Sequence, residues 1–473
     1  MTAFESLKAK VGKFSLANKK LLVPEMGRTV SHLVGATMRS FGVDAQVMET
    51  YKGLQLGKQY TSGKECFPCQ VTLGDVLYHL EREKERLGEA FRAENYLYFM
   101  AESGGPCRFG MYNKLHRIVM DSMDGFSKTR ITSITAEDSY SLGGLMGPEE
   151  RTHFRRSAYV GLVIGDVLDR MLWRTRPYEQ EAGIAEDYLE KALSVMCLEM
   201  ETHGRKKRFH RILSTLEQVV KKARNLIDPS IPPKPLIGMV GEIYLRSHRQ
   251  SNQDLIKLLE SHGGEVVNAS IAEWINYVSY DNMLKAKREV VFALKERDLK
   301  SLRRHFRNWL KNRTELAYQY FRMDQIYRRV RKHLPIHEDH RISTLERQLD
   351  NDRLFSFKIG TEAGLSIGGA LEYCLHGYDG IVNVFPFTCM PSTMCSAILK
   401  PILDRMNVPY IDAAYDGTYQ PNLEAIIRTF MYRLRSISKI AYRKAHSAPS
   451  VVGCPWSVVQ VVQIAKAQVV SSQ

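Results

Sequence analysis

Three cysteine-bearing segments hold the residue types best suited to chemistry. Cys66 and Cys69 occur in GKECFPCQVTLGD, Cys107 in SGGPCRFGMY, and Cys389 and Cys395 in FPFTCMPSTMC. Each segment opens a helical pattern after a run of strand type. Each also carries Gly or Pro, which sets a tight turn and leaves backbone N–H groups exposed. A helix N-terminus lowers a thiol's pKa and favours the thiolate that iron or zinc requires. Backbone N–H groups donating to sulfur tune the potential of an iron–sulfur cluster. The bland alternative is three unrelated turns that contain Cys. A second alternative is the thioredoxin-type spacing of Cys66-Phe67-Pro68-Cys69, a redox pair that leaves Cys107 and Cys389 without a role. A structural zinc site would show two close pairs, and only one is present. Cys197 and Cys374 sit among apolar residues in helical patterns and read as small core residues.

The elements that must position these cysteines alternate. Short apolar runs at 20–24, 45–48, 96–100 and 130–134 read as strands, separated by helical patterns at 30–41, 72–87 and 112–122. Strands separated by helices predict a parallel sheet with helices on both faces. Ligands of such sheets bind at the carboxyl edge, where all three cysteine segments fall. A helical region follows over 150–228, with one long helix from 186 to 227. Pro229, Pro232, Pro233 and Pro235 then end it as a linker. The α/β pattern restarts with strands at 236–241, 266–267, 380–385 and 408–411 and helices at 253–262, 368–376, 396–406 and 422–433. The predicted class is α/β, with two Rossmann-like (flavodoxin-like) parallel-sheet domains and helical additions. The domains are 1–149, holding Cys66, Cys69 and Cys107; a helical region and linker over 150–233; and 234–473, interrupted by a basic helical insertion at about 282–334. The last twenty residues have no clear punctuation.

Composition narrows the function classes. The 473 residues are 44% hydrophobic and 25% charged, ordinary for a folded domain protein. No run of about 18 apolar residues occurs, which argues against a membrane partner, and the N-terminus has no secretory pattern. The expected location is the cytoplasm, where cysteines stay reduced. Net charge is +15, and residues 282–334 alone carry +11. Arg303, Arg304 and Arg307 lie in this segment, with Leu299, Leu302, Phe306, Trp309 and Leu310 at helical spacing between the charges. The pattern predicts one or two amphipathic helices whose basic outer face meets phosphates or an acidic partner, or is merely solvated. Nucleic acid has only charge in its favour. A binding protein that uses these helices and no cysteine chemistry is the third reading.

Other motifs are weak. Neither GxGxxG nor GxxxxGK[ST] occurs, so no fingerprint supports NAD or ATP binding. Gly364-Leu365-Ser366-Ile367-Gly368 matches GxSxG but lacks the preceding strand that a nucleophile elbow needs. Asp412 and Asp416 fall at a strand end, with helix capping the expected role of Asp416.

Long stretches around the cysteines resemble the iron–sulfur component of 2-hydroxyacyl-CoA dehydratases, and more closely the related domain associated with their activases. They are GKECFPCQVTLGD, GGPCRFGMYNK, WRTRPYE and LSIGGALEYCLHGYDGIVNVFPFTCMPSTMC, followed by PYIDAAYDG. The resemblance implies two Rossmann-like domains with a low-potential 4Fe–4S cluster between them. By motif match, Cys66, Cys107 and Cys389 would be its ligands, with Cys69 and Cys395 as extra candidates. In the family an ATP-hydrolysing activase supplies one electron, and the dehydration of a 2-hydroxyacyl-CoA follows by radical chemistry. This chain lacks the activase's ATP-binding fold, so the activase or other electron donor would be a separate protein. An electron carrier would use the same site.

Overall fold

The computed structural model describes residues 10–12, 14–133 and 148–447, with side chains described as far as 436. The chain forms two compact units. The first comprises Met1–Leu172, Gly183–Leu226 and Ile271–Ile336; the second comprises Trp173–Ala182, Ile227–Ser270 and His337–Gln473.

In the first unit the order is β1 (Val11–Gly12), β2 (Lys20–Val23), α1 (Arg28–Ser40), β3 (Asp44–Val47), α2 (Leu54–Gln59), α3 (Phe67–Leu87), β4 (Tyr96–Phe99), α4 (Tyr112–Ser122) and β5 (Arg130–Thr132). The five strands are all parallel, in the order β1-β5-β4-β2-β3. Both faces are covered, as β4 requires with every residue buried. Leu22, Tyr96 and Tyr98 point into a core shared with Leu73, Leu77 and Met120 of α3 and α4. Their neighbours Leu21, Val23, Leu97 and Phe99 point into the opposite core with Met38 of α1. This is the period-2 alternation of strands buried on both sides.

A helical layer extends this unit through α5 (Pro148–Thr175, whose last residues belong to the second unit), α6 (Ile184–His203) and α7 (Phe209–Ala223). The single helix expected over 186–227 is therefore two helices. The break falls at Gly204, where a Cβ would lie 2.6 Å from the Met200 carbonyl oxygen.

The second unit contains β6 (Leu236–Gly241), α8 (Ile243–Ser247), α9 (Leu255–Ser261) and β7 (Glu265–Asn268). The chain then returns to the first unit with α10 (Ile271–Lys295) and α11 (Leu299–Val330). Asp298 caps α11, accepting from the N–H groups of Lys300 and Ser301 at 3.1 and 3.0 Å. The second unit resumes with α12 (Ile342–Asn351), α13 (Ala363–Leu375), β8 (Gly380–Pro386), α14 (Met390–Arg405), β9 (Tyr410–Tyr415) and α15 (Leu423–Ser447). Its four parallel strands run β7-β6-β8-β9.

The doubly parallel α/β class read from the sequence is thus observed, with one switch point per sheet: between β2 and β4, and between β6 and β8. Ile134 of the strand expected at 130–134, Cys454 and the unpunctuated last twenty residues lie outside the described residues.

Candidate functional site

In the first unit, Cys66 is the N-cap of α3, with extended backbone (φ −62°, ψ 136°) and Pro68 in the first turn. The helix expected from residue 72 therefore starts at Phe67. Proline fits there because a first-turn N–H has no intrahelical partner. Cys69 lies one turn in, and its N–H donates to the Cys66 carbonyl at 2.8 Å. Cys107 caps the short 3-10 turn Arg108–Met111 that leads into α4, again with extended backbone (φ −73°, ψ 132°). The segments meet through Arg108, whose Nη1 donates to the Lys64 carbonyl at 2.7 Å. Cys66 and Cys69 are buried and Cys107 is half-buried. Burial pushes the Cys69 thiol well up, with the neighbouring Cys66 adding to the rise. Its Sγ lies 3.5 Å from Nε2 of His116, a buried imidazole.

In the second unit, Cys389 repeats the Cys66 arrangement. It is the N-cap of α14 (φ −67°, ψ 113°) with Pro391 in the first turn. The Cys389 thiol meets Ser392 in the first turn of α14, which favours its thiolate. Burial pushes the Cys389 thiol up to about 12, helped by Glu362. Cys395 is buried nearly two turns further on, 3.6 Å from the Ala363 carbonyl. Cys107 and Cys389 also follow equivalent strands. They follow β4 and β8, the later strand at the switch point of each sheet.

Two acidic residues of this edge are not legible as site residues in the sequence. Glu242 follows β6 and caps α8, accepting from the N–H groups of Tyr244 and Leu245 at 3.0 and 2.8 Å. Burial raises its carboxyl to about 7. Glu362, the N-cap of α13, is buried and raised for the same reason. The available signal was a comparison of the two halves. Leu22-Val23-Pro24-Glu25 and Met239-Val240-Gly241-Glu242 each place a glutamate just past β2 or β6, the earlier strand at each switch point, with Glu25 buried and Glu242 half-buried.

Ser366 lies inside α13 with its hydroxyl 3.5 Å from the Gly241 carbonyl, so the GxSxG match forms no nucleophile elbow. Asp416 accepts from the N–H and hydroxyl of Thr418 at 2.9 and 2.5 Å, which closes its own turn rather than capping a helix. Asp412 accepts from Ser396 Oγ and Tyr410 Oη at 2.7 and 2.5 Å. Arg303, Arg304 and Arg307 are exposed on α11. Leu299, Phe306 and Leu310, expected on an inner face, are exposed as well. Here α11 is flanked by α10.

Each of these N-cap cysteines offers a soft sulfur beside first-turn N–H groups, the donor chemistry that an iron–sulfur ligand needs. A carboxyl held near neutrality, as in Glu242, limits the negative charge added beside such a group. Among the described residues, however, only one set of three His, Cys, Asp or Glu donors lies within 4.8 Å of one another: His340, Glu372 and His376 of the second unit. No family model matches the sequence, and no curated protein matches it.

Proposed function

We propose that the chain is an iron–sulfur protein in which Cys66 and Cys107 of the first unit and Cys389 of the second hold a 4Fe–4S-type cluster for low-potential one-electron transfer. The observation that carries this reading is the threefold repetition of one local arrangement. Each cysteine is an extended N-cap beyond the carboxyl edge of a parallel sheet. When bound, the cluster supplies a one-electron redox couple. The chain's own residues supply thiolates, first-turn N–H donors and apolar surroundings. Iron itself supplies the charge that deprotonates thiols which burial otherwise holds in the neutral form.

The family resemblance extends the proposal to a separate ATP-dependent activase as electron donor and a 2-hydroxyacyl-CoA as acceptor. The basic face of α11 at Arg303, Arg304 and Arg307 suits an acidic donor surface or CoA phosphates. The thiol–disulfide alternative on Cys66 and Cys69 is disfavoured by the same burial, since a raised thiol is a poor attacking nucleophile.

The test is visible and electron paramagnetic resonance spectroscopy of protein purified without oxygen, before and after dithionite. The expected result is a broad sulfur-to-iron absorption that bleaches on reduction, with a reduced-cluster signal lost in Cys107→Ala and in Cys389→Ala. A featureless spectrum in iron-supplemented protein, or a signal unchanged in both variants, overturns the proposal.

A further inference from the structure

Away from the cysteines, the second unit brings two imidazoles and a carboxylate together at the C-terminal end of α13. Glu372 lies in its last turn and His376 is its C-cap, so the i, i+4 pair shares one helix face. His340 comes from the segment preceding α12. We propose that His340, Glu372 and His376 bind a divalent transition-metal ion of the zinc class, tying that segment to the end of α13.

The donor atoms lie within 4.8 Å of one another. A tetrahedral zinc site with bonds of about 2.1 Å needs donors about 3.4 Å apart, which small side-chain rotations supply. Two nitrogens and one carboxylate oxygen suit Zn²⁺, Ni²⁺ or Co²⁺ over Mg²⁺ and Ca²⁺, which prefer all-oxygen shells.

The surroundings hold the donors in place. His376 Nδ1 lies 2.8 Å from the Glu372 carbonyl and 3.6 Å from its Oε2. The His340 ring packs edge-on against Tyr373 at 5.3 Å, and Tyr373 lies against Tyr378 at 4.5 Å. The segment is pinned on both sides of His340's neighbourhood: the Tyr378 hydroxyl meets His337 Nδ1 at 2.8 Å, and Asp339 accepts from Ser270 Oγ at 2.6 Å. Such outer contacts orient ligands before the metal arrives. The end of a helix also favours a cation, because its last carbonyls carry partial negative charge. Glu372 is 12% exposed and His376 65%, so an ion here has a sheltered carboxylate and open access from solvent for a bound water.

The test uses the full chain and Co²⁺ as a spectroscopic stand-in for Zn²⁺. One equivalent should bind without a thiolate-to-cobalt charge-transfer band, and Zn²⁺ should displace it. His376→Ala and His340→Ala should each weaken binding at least about tenfold, while Cys107→Ala and Cys389→Ala leave it unchanged. The high exposure of His376 makes its replacement compatible with folding, and circular dichroism checks that it is. Absence of a bound equivalent, or binding that follows the cysteines and ignores both histidine variants, overturns the proposal. Because the two readouts use different residues, this result is independent of the iron–sulfur reading.

Discussion

Asp75 sits fully buried in α3, accepting from Thr50 Oγ1 and the Tyr51 N–H at 2.7 Å each. Burial raises its carboxyl to about 7. Because this folded value exceeds the unfolded one, its stabilising contribution is complete below about pH 4 and is lost as pH rises through about 7. Asp75→Asn is therefore expected to exceed the native protein in stability at pH 8, by at most about 4 kcal/mol, and to lose that advantage near pH 4. Urea unfolding at the two pH values checks this, and an advantage equal at both contradicts it. Buried His248 acts in the opposite sense. Burial lowers its imidazole to about 3, so its contribution is present above about pH 6.5 and falls away as pH drops toward 3. Cys69 is expected to be dispensable for iron: Cys69→Ser should retain the metal that Cys107→Ala loses, measured by elemental analysis. At this scale the cysteines were legible because Pro and Gly punctuate their turns. His340, Glu372 and His376 were not, because α12 and the start of α13 separate the first from the other two in sequence and only folding joins them.

At the scale of elements, the N-terminal end of α3 depends on how closely α2 approaches it. A Cβ on Gly74 would lie 2.1 Å from the Gly53 carbonyl oxygen, and one on Gly57 would lie 2.1 Å from that of Gln70. The contacts are backbone against backbone, so no side chain can yield. Gly74→Ala is expected to cost at least about 2 kcal/mol and to displace the turn that carries Cys66. Thermal unfolding together with the rate of Cys66 alkylation measures both; an unchanged midpoint would contradict the close approach. Gly241 is equally constrained, at φ 123° with a virtual Cβ 2.0 Å from the Val384 carbonyl. Strands β2, β4, β6 and β8 were legible from their largely apolar runs, as sheets covered on both faces require. The two-residue β1 and the six-residue α2 were not, since neither is long enough to show a period. The break at Gly204 has a local signal: Gly204-Arg205-Lys206-Lys207-Arg208 interrupts the apolar periodicity between α6 and α7.

At the scale of the molecule, two parallel sheets built on one strand order each present cysteine at the carboxyl edge, and a basic helical pair adds most of the net charge. No described helix is long and apolar enough to cross a membrane. The strands and the cysteine turns were legible together because periodicity reveals strands and the turns follow them, whereas the order of the strands in each sheet is set by tertiary pairing. The destination of the charge was not, since a basic stripe has the same pattern whether solvated or docked. Combining Arg303→Glu, Arg304→Glu and Arg307→Glu is expected to slow reduction by an ATP-dependent donor at least about tenfold while leaving dithionite reduction unchanged. Equal effects on both, or on neither, would remove the docking role. The central claim is tested most directly by iron and acid-labile sulfide per chain after anaerobic purification with ample iron. The account predicts about four of each, lost in Cys66→Ser, Cys107→Ser and Cys389→Ser and kept in Cys197→Ser. Iron and sulfide absent from the native chain, or equally present in all four variants, would contradict it.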